Sequence, residues 1–539
     1  MATVTSSSKE AIEPVPVTTE SPMESSMEAP VDTPALERER VRPVAVSMGG
    51  TSGLGGLMLG YGIGDVSGYF SMRDFARRFG VYNAATGEYE FDSVRQGTIV
   101  GLMPIGCLSG SLIAGHMADW LGRRHTIAAS GIFYSVGKVI EITATNTWVQ
   151  FALGRLVSGV AIGSLSVVIP IYQFFITFGI LIAELVNYST HHMATSAAWR
   201  ITNGLSFLWS LILVVGIYFF PESPRHMYRT GREDEARRTI ARLAGLDVNS
   251  NTVTQQINDI RAKLEEERAG AETRWYQIFT DRDIRYRMLL GIVLQAGQQL
   301  TGANFFFYYG TTIFKATGLD DSYVTQIILG CVNFACTFGG LYVVKKCGRR
   351  TSLIVGALWM MACFLVYSFV GYFALDAEDP SRTPGAGNAL IVVSCLFIAA
   401  FATTWGPLVW AVVAELYPAK YRAPAMAVAT ASNWFFNFLL SFFTPFITAK
   451  IGYLYGLVFA GCCFALALVV FFFLIESKDR TLEQIDTMYV MGVNPITSSK
   501  WDEKSVPGSS SGSGDPPSRE LTARDRPMDG HELDEISPA

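Results

Sequence analysis

Charged side chains are scarce in this chain. Asp, Glu, Lys and Arg make up 17% of its 539 residues, whereas half of the residues are hydrophobic, and the mean hydropathy is +0.29. So few charges cannot cover the surface of a soluble globular protein of this size. The net charge of −5 carries little information, because acidic residues near both ends of the chain dominate it.

Recognisable catalytic and metal-binding patterns are also missing. Almost all of the eight cysteines lie inside or beside apolar runs, which indicates small buried residues rather than a disulfide framework or a metal site. No nucleophile forms a pattern with a general base, and no metal-ligand spacing stands out. We therefore expect no enzyme activity, no cofactor, no metal and no nucleic-acid partner.

What the chain does contain is a series of apolar runs that reach about 20 residues, the length that crosses a bilayer. The sequence Gly-Arg-Arg at 122–124 recurs at 348–350, each time in a short basic loop between two such runs. This repeat marks two related six-helix halves, so we expect an all-α integral membrane protein. The predicted spans are 47–68, 97–118, 126–145, 149–172, 173–188, 200–220, 286–308, 323–344, 351–372, 389–413, 424–447 and 452–475.

The chain divides into five predicted segments. Residues 1–45 and 477–539 are polar tails that we expect to be mostly disordered. Residues 46–220 and 286–476 form the two helical halves. The insert 221–285 alternates charged and apolar residues at helical spacing, which favours short amphipathic helices on the membrane surface.

Lys and Arg predict the orientation of the chain in the membrane. They are concentrated in both Gly-Arg-Arg loops and in the insert 221–285, so that side is expected to be cytoplasmic, together with both termini. The loop 69–96 argues weakly against this, because it carries four Arg and must lie on the other side.

Four charged motifs stand at the ends of spans. Asp119 lies four to five residues before two Arg, a spacing that lets a carboxylate and a guanidinium pair at a helix end. Acid-containing strings at 221–225, 415–422 and 476–486 end spans six, ten and twelve. In this order the motifs resemble the major facilitator superfamily, and within it the sugar porters, over about residues 46–490.

This resemblance implies charged pairs that lock the cytoplasmic gate in the outward-open state. The alternative is that the Arg residues only anchor the positive side of the membrane. The residues implied in gating are Asp119, Arg123, Arg124, Arg155, Glu222, Arg225, Arg349, Arg350, Glu415 and Arg422.

A cluster of amides in span seven predicts the substrate. Gln298, Gln299 and Asn304 lie in an apolar run, where an amide is costly unless it faces a wet cavity or a partner. Amides both donate and accept hydrogen bonds, as sugar hydroxyls do. Gly302 permits a bend that could turn all three toward one cavity. Hydrogen bonding between helices is the alternative reading.

The stretches 298–315 and 431–447 are similar to those of fungal hexose transporters. Trp410, after a helix break that we place behind Pro407, offers an aromatic platform for a sugar face, whereas Trp405 and Trp434 are expected to serve packing. The sugar-contact positions implied by the resemblance are Gln173, Gln298, Gln299, Asn304, Asn333, Trp410, Asn433 and Asn437.

Span one departs from the family. Gly62 occupies the place of the acid that couples protons in similar symporters, and Asp65 lies one helical turn further on. Arg155 matches the family Arg that meets this acid, so Asp65 could still reach it and couple protons. We favour facilitated diffusion over symport. In span three, Lys138 and Glu141 are expected to neutralise each other.

The stretch 151–186 is the largest departure. It holds 36 residues with only two charges, and a straight helix of that length would measure about 54 Å, too long for one span and too short for two spans with a loop. The second half has the acidic connector 415–422 at the matching place. Spans four and five therefore look abnormally fused or shortened, with a strained hairpin near 170–173. If residues 151–186 formed a single span, the Arg-rich insert 221–285 would lie outside the cell, against the positive-inside rule. A gene-model error or splice variant is favoured over an evolved solution.

The sequence as a whole predicts a monomeric carrier in the lipid bilayer of the plasma membrane. It would move a monosaccharide, a hexose such as glucose, by alternating access. Three alternatives stay open: a transporter-like glucose sensor, a proton-coupled symporter, and an inactive product of the missing connector.

Overall fold

The structure, a computed structural model, describes residues 43–84, 87–168, 173–270, 277–315, 322–376, 382–418 and 420–501. Nearly all of them lie in helices. The first half contains α1 (Pro43–Tyr69), α2 (Arg73–Phe79), α3 (Ser93–Leu121), α4 (Arg123–Thr143), α5 (Trp148–Val168), α6 (Gln173–Thr190) and α7 (Ala197–Tyr218).

The insert forms four short helices and the second half nine more. The insert helices are α8 (Pro224–Arg229), α9 (Glu233–Ala244), α10 (Asn251–Gly270) and α11 (Gln277–Thr280). The second half contains α12 (Arg282–Leu300), α13 (Ala303–Lys315), α14 (Ser322–Lys346), α15 (Arg349–Phe369), α16 (Pro384–Thr403), α17 (Trp405–Leu416), α18 (Arg422–Ile451), α19 (Tyr455–Phe473) and α20 (Leu482–Val490).

Each of the twelve predicted spans coincides with one helix or with a pair of helices joined at a break. An apolar run must satisfy its backbone hydrogen bonds internally, and a helix does so within one segment. Among the described residues, seven helical stretches are long and apolar enough to cross a membrane. Large apolar side chains such as Phe219 and Phe373, which are 77% and 75% exposed, cover the outside of the bundle. An all-α membrane fold is confirmed.

The two halves pack in matching ways. In the first half α1 packs on α6, and α5 packs on both α3 and α4; in the second half α12 packs on α18, and α16 packs on both α14 and α15. Three helix pairs, α6 with α14, α3 with α18 and α1 with α13, make the main contacts between the halves. The repeat in the sequence is therefore a repeat in the packing.

The insert helices have a small core of their own. Ile240 on α9 and Val253 and Ile257 on α10 are buried against Met227 on α8. The apolar side of α9 is buried in this core, as in an amphipathic helix, and the expected position of these helices on the membrane surface stays a prediction. The loop 69–96 adds two features that the sequence did not predict, the helix α2 and a hairpin of β1 (Val81–Asn83) and β2 (Glu88–Glu90).

Spans four and five are separate helices in the structure. α5 ends at Val168 and α6 begins at Gln173. The predicted turn near 170–173 falls on residues 169–172, which lie outside the described residues, so the strained hairpin stays a prediction. α6 has only 18 residues.

Candidate functional site

A break in span seven places three amides on one wall. α12 ends at Leu300 and α13 begins at Ala303, and Gly302 between them has a φ of +87°. Glycine adopts this left-handed conformation without a steric penalty. The predicted bend is confirmed, and it turns the end of α12 and the start of α13 toward the same space.

That space is a cavity between the two halves with an empty volume of about 700 Å³. Every residue that the sequence predicted as a sugar contact lies on its wall, although the predicted role of each stays a prediction. These residues are Gln173, Gln298, Gln299, Asn304, Asn333, Trp410, Asn433 and Asn437.

The amides on the second-half wall form one hydrogen-bonded chain. Asn304 Nδ2 donates to Gln299 Oε1 at 2.6 Å, and Gln299 Nε2 donates to Asn433 Oδ1 at 2.9 Å. Asn433 Nδ2 then donates to Gln298 Oε1 at 2.8 Å, and Gln298 Nε2 donates to Gly406 O at 3.0 Å. Helix–helix bonding and a ligand site are therefore compatible, because the chain fixes the orientation of each amide along the cavity wall.

Several polar atoms on or near this wall have no hydrogen-bond partner among the described residues. They include Asn333 Oδ1, Gln295 Nε2 and Trp434 Nε1, all buried. Buried polar groups are normally paired. A ligand that carries both donors and acceptors, as a polyhydroxyl compound does, could satisfy the acceptor of Asn333 and the donor of Trp434.

Both tryptophans that were expected to serve packing are buried in the core. Trp405 is fully buried and its Nε1 donates to Leu353 O at 2.9 Å. Trp434 also lines the cavity, a position that the sequence analysis did not predict. The signal was present in the sequence, because Trp434 precedes Asn437 by three residues and shares its helix face.

The helix break near Trp410 lies earlier than expected. α16 ends at Thr403 and α17 begins at Trp405, with Thr404 between them at φ −124° and ψ −84°. The sequence placed the break after Pro407. Proline has no N–H to donate to the carbonyl four residues before it, so the helix is interrupted on the N-terminal side of Pro407.

The polar groups of the cavity lie mostly on the second half. The first half contributes Leu59, Ile63, Ile176 and Ile180, and a single amide, Gln173. The Nε2 of Gln173 lies near Gly406 at the start of α17, 3.5 Å from where a Cβ on Gly406 would lie. A ligand held by the second half could therefore face a mainly apolar wall with one amide.

A cluster of four charges lies inside the first half. Asp65 accepts from Arg155 Nη1 at 3.3 Å and from Lys138 Nζ at 3.2 Å. Lys138 Nζ also donates to Glu141 Oε2 at 3.0 Å. The expected contacts of Asp65 with Arg155 and of Lys138 with Glu141 are both present. The sequence did not predict that Lys138 joins them, giving two acids and two bases with no net charge.

Asp119 does not pair with the Arg residues of its own motif. Its carboxylate accepts from Arg229 Nη1 of α8 at 2.7 Å. Arg123 is exposed, and Arg124 stacks on the ring of Tyr218 at 4.7 Å. The pairing that the spacing allows is not made in this conformation, so the gating role expected for these residues in the outward-open state stays a prediction.

Two glutamates cap helices at equivalent places in the two halves. Glu222 accepts from the backbone N–H of Arg124 at 3.1 Å, and Glu476 accepts from those of Arg349 at 2.7 Å and Arg350 at 3.2 Å. A carboxylate at a helix N-terminus satisfies unpaired N–H groups and interacts favourably with the helix dipole.

The second half has an ion pair that its repeat partner does not show. Arg349 Nη2 lies 3.5 Å from Glu415 Oε1, and Ser477 Oγ donates to Glu415 Oε2 at 2.6 Å. Arg422 donates to Tyr417 O at 3.1 Å rather than to an acid. Arg225, in the first-half motif, is exposed on α8.

At the end of the bundle away from the Gly-Arg-Arg loops, hydrogen bonds between the halves add to the packing of α6 on α14, which extends past the middle of the bundle to Phe174 and Phe338. Gln326 Nε2 donates to Ser67 Oγ at 2.9 Å, and Tyr323 OH donates to Gly68 O at 2.7 Å. Ser93 Oγ at the start of α3 donates to Pro445 O of α18 at 3.3 Å. The motif ion pairs and caps described above each stay within one half and the insert, so this conformation is closed at the end away from the loops.

Comparison with known proteins agrees with this arrangement. The high-affinity glucose transporter ght2 of Schizosaccharomyces pombe is 41% identical over 460 residues, which cover 82% of this chain and 86% of the relative. The hexose transporter HXT10 of Saccharomyces cerevisiae is 40% identical over 467 residues, 83% and 85% of the two chains. The proton:xylose symporter XylE matches with a TM-score of 0.67 at 23% identity over 83% of this chain and 99% of its own, which shows the shared fold.

A family model described as sugar (and other) transporter matches residues 51–489. That range contains the cavity, the four-charge cluster and both Gly-Arg-Arg loops. The chain therefore belongs to the sugar (and other) transporter family, as a multi-pass membrane protein and not an enzyme, and its fold is that of the major facilitator superfamily symporter XylE.

Proposed function

We propose that this chain carries a hexose such as glucose across the membrane by alternating access, as facilitated diffusion. The observation that carries the proposal is the amide chain from Asn304 to Gln298 on one wall of a cavity between two mobile halves. Relatives that are named glucose, hexose and fructose transporters support the substrate class.

The amides would bind sugar hydroxyls while the aromatic side chains bind the C–H faces of the ring. Asn304 and Asn333 have amide oxygens that find no hydrogen-bond partner among the described residues. Trp410 and Trp434 lie on the same wall. The second half would hold the sugar throughout, and the apolar wall of the first half would move past it.

The charge cluster favours facilitated diffusion over proton symport. A coupling acid must gain and lose a proton in each cycle, whereas two cations hold the carboxylate of Asp65. A symporter could also use the contact between Asp65 and Arg155, so proton symport is the second candidate. The effect of an uncoupler on sugar accumulation distinguishes symport from facilitated diffusion.

Localisation and assembly follow from the same proposal. The basic Gly-Arg-Arg loops and the insert would face the cytoplasm, with both termini on that side and the protein in the plasma membrane as a monomer. A glucose sensor is the alternative from another functional class. It would bind sugar without net transport.

Exchange in proteoliposomes tests the proposal without other carriers. Vesicles that contain the purified protein and unlabelled glucose should take up labelled glucose from outside. Vesicles that contain the Asn304→Ala variant should do so far more slowly at the same low sugar concentration. Binding of glucose without exchange would favour a sensor and contradict the proposal.

A further inference from the structure

A carboxyl group without a partner lies between the two halves. Glu184 on α6 is 4% exposed, and neither of its carboxyl oxygens has a hydrogen-bond partner among the described residues. It faces Gly330 on α14 of the second half. A Cβ added to Gly330 would collide with Glu184 Oε2. The glycine leaves just enough room for the acid.

Glu184 sits at the centre of a regular contact between α6 and α14. Seven residues before it, Thr177 Oγ1 accepts from Thr337 Oγ1 of α14 at 3.2 Å. Seven residues after it, the ring of His191 stacks on that of Tyr323 with centroids 4.3 Å apart. The partners on α14 run in the opposite order at the same spacing, so the helices are antiparallel and the acid is buried by their contact.

Among the described residues, no cation bonds the carboxyl group of Glu184. Asp65 is bound by cations on α4 and α5, and Arg200 donates to Ala144 O and Ser196 Oγ. The neighbouring titratable groups along the chain are Tyr188 on α6 and His191 and His192 just after its end. The titratable and charged groups on the helices that pack on α6 include Cys331 and Tyr323 on α14, Asp65, Tyr61 and Tyr69 on α1, and Arg200 on α7.

Burial without a partner is far more costly for an ionised carboxylate than for the neutral acid. The closed contact is therefore compatible with protonated Glu184. If α6 and α14 separate, water reaches the side chain, and a hydrated Glu carboxyl is ionised at neutral pH. Closing the contact then requires a proton, and opening it releases one.

We propose that Glu184 is a proton-binding site that links closure of the α6–α14 contact to the pH at that face of the membrane. The inference rests on the alternating-access cycle proposed above. The closed state binds one more proton than the open state, so a falling pH favours closure and a rising pH favours opening, by up to about tenfold in the equilibrium per pH unit.

This proton exchange differs from symport. Glu184 becomes accessible only when the end of the bundle away from the Gly-Arg-Arg loops opens, so the proton leaves and returns on the same side. The rate of sugar uptake would depend on pH, but no proton would cross with the sugar. A pH-sensitive carrier that does not concentrate its substrate is the expected behaviour.

Thiol labelling of the purified full-length protein in detergent tests the link directly. Tyr323→Cys places a thiol in the buried contact, where the native side chain is 5% exposed, and mass spectrometry reads its modification by a maleimide. The same substitution combined with Glu184→Gln is the matched control, since Gln has the same size, cannot ionise, and leaves the reactivity of the thiol unchanged.

The labelling rate of Tyr323→Cys divided by that of the double variant with Glu184→Gln should rise between about pH 5 and pH 8. A hydrated Glu is ionised in this range, so the contact opens more often as the pH rises. A ratio that is constant with pH overturns the proposal.

Labelled-glucose uptake gives a second, independent measurement. At a low sugar concentration, the rate of uptake by the unmodified chain should decrease as the external pH falls, because fewer molecules are open. The rate of uptake by Glu184→Gln should not change with pH.

Failure of the Glu184 proposal and failure of the transport proposal give different results. Robust uptake by the unmodified chain with no response to external pH overturns the role of Glu184 and leaves the transport proposal intact. Absence of uptake by both variants contradicts the transport proposal, and the labelling ratio then decides on Glu184 alone.

Discussion

Asn304 illustrates how a single side chain can serve both the protein and a ligand. Its Nδ2 donates to Gln299 at 2.6 Å, and within the described residues its amide oxygen has no partner. The internal bond fixes the rotamer, so the oxygen is oriented before a sugar arrives. Such preorganisation reduces the entropy that binding must otherwise overcome.

We predict that Asn304→Ala weakens the apparent affinity for sugar while the surface level stays near normal. Loss of an amide that bonds a buried hydroxyl costs about 1–3 kcal/mol, or roughly ten- to a hundredfold. Uptake kinetics at matched surface expression measure this. Gln150→Ala is the control, because it removes an amide that bonds Thr143 Oγ1 and Ile140 O away from the cavity. Unchanged kinetics for Asn304→Ala would exclude this contact.

A second residue-scale prediction concerns Trp434. Replacing it with Phe keeps an aromatic face but removes the unpartnered Nε1 donor, so binding should weaken by about 0.5–1.5 kcal/mol. Trp209→Phe is a matched control, since Trp209 Nε1 is also buried without a partner among the described residues but Trp209 does not line the cavity. Equal effects of the two substitutions on affinity would show that Trp434 has no specific role.

Residue type together with the resemblance to sugar porters predicted which side chains line the cavity. Amides inside apolar runs are rare enough to be informative, and each predicted one lies on the wall. The position of Trp434 on the wall was missed because an indole fits both lipid-like packing and a ligand wall. Gln295 was missed for a different reason: its carbonyl and amide oxygens bond Asn433 from behind the wall, a tertiary contact that no local pattern encodes.

At the scale of elements, the breaks and caps follow from local chemistry. Gly302 breaks span seven where the sequence predicts it, because its φ of +87° suits glycine. The break in span ten lies a few residues before the predicted place. Pro407 lacks the N–H that would bond the preceding turn, so the helix is interrupted on its N-terminal side. The hairpin of β1 and β2 was missed because strands of three residues give too short an alternation to detect.

Removal of either capping glutamate should lower the thermal stability of the purified protein. Glu222→Ala and Glu476→Ala each leave N–H groups at a helix start without an acceptor, a loss of about 0.5–2 kcal/mol. The midpoint of thermal unfolding in detergent should fall for both by similar amounts. Glu235→Ala, on the exposed first turn of α9, should leave it nearly unchanged. A shift no larger than that of Glu235→Ala would refute the capping role.

The connector between spans four and five gives another prediction at this scale. Glu415 bonds Arg349 and Ser477 in the second half, whereas Arg123 at the matching place in the first half is exposed. We expect the chain as written to reach the cell surface poorly or to transport weakly. Insertion of a segment designed on residues 415–422, after Gln173 and before a repeated Tyr-Gln, should improve both.

Surface labelling and sugar uptake of the two chains, measured side by side, test this expectation. An insertion of the same length made of Gly and Ser controls for the added residues. Full surface level and robust uptake by the unmodified chain would show that four residues between α5 and α6 form a working connection.

At the scale of the whole molecule, the two halves pack along α6 and α14 and at the end away from the Gly-Arg-Arg loops, and they enclose a cavity whose polar groups lie mostly on the second half. The sequence predicted the halves and their repeat, because apolar runs and Gly-Arg-Arg loops are local signals. It could not predict which end is closed. Both conformations of a carrier use the same helices, so their difference lies in a few contacts between halves, such as that of Tyr323 with Gly68.

The same reasoning explains the charged motifs. Asp119 bonds Arg229, and Arg349 bonds Glu415, within one half and the insert. We expect a clamp across the halves at the Gly-Arg-Arg end to form only in the opposite conformation. The buried cluster around Asp65 has no net charge, and it gives the first half a fixed arrangement of ion pairs rather than a free acid.

The central claim is that the chain moves hexose passively, and accumulation of a non-metabolised glucose analogue tests it most directly. Cells that lack other hexose carriers should take up the labelled analogue when they express this chain. The internal concentration should approach the external one and stop there, and an uncoupler should change neither the rate nor the end point. Accumulation above the external concentration that the uncoupler abolishes would contradict the account and show that Asp65 or another acid couples sugar to protons.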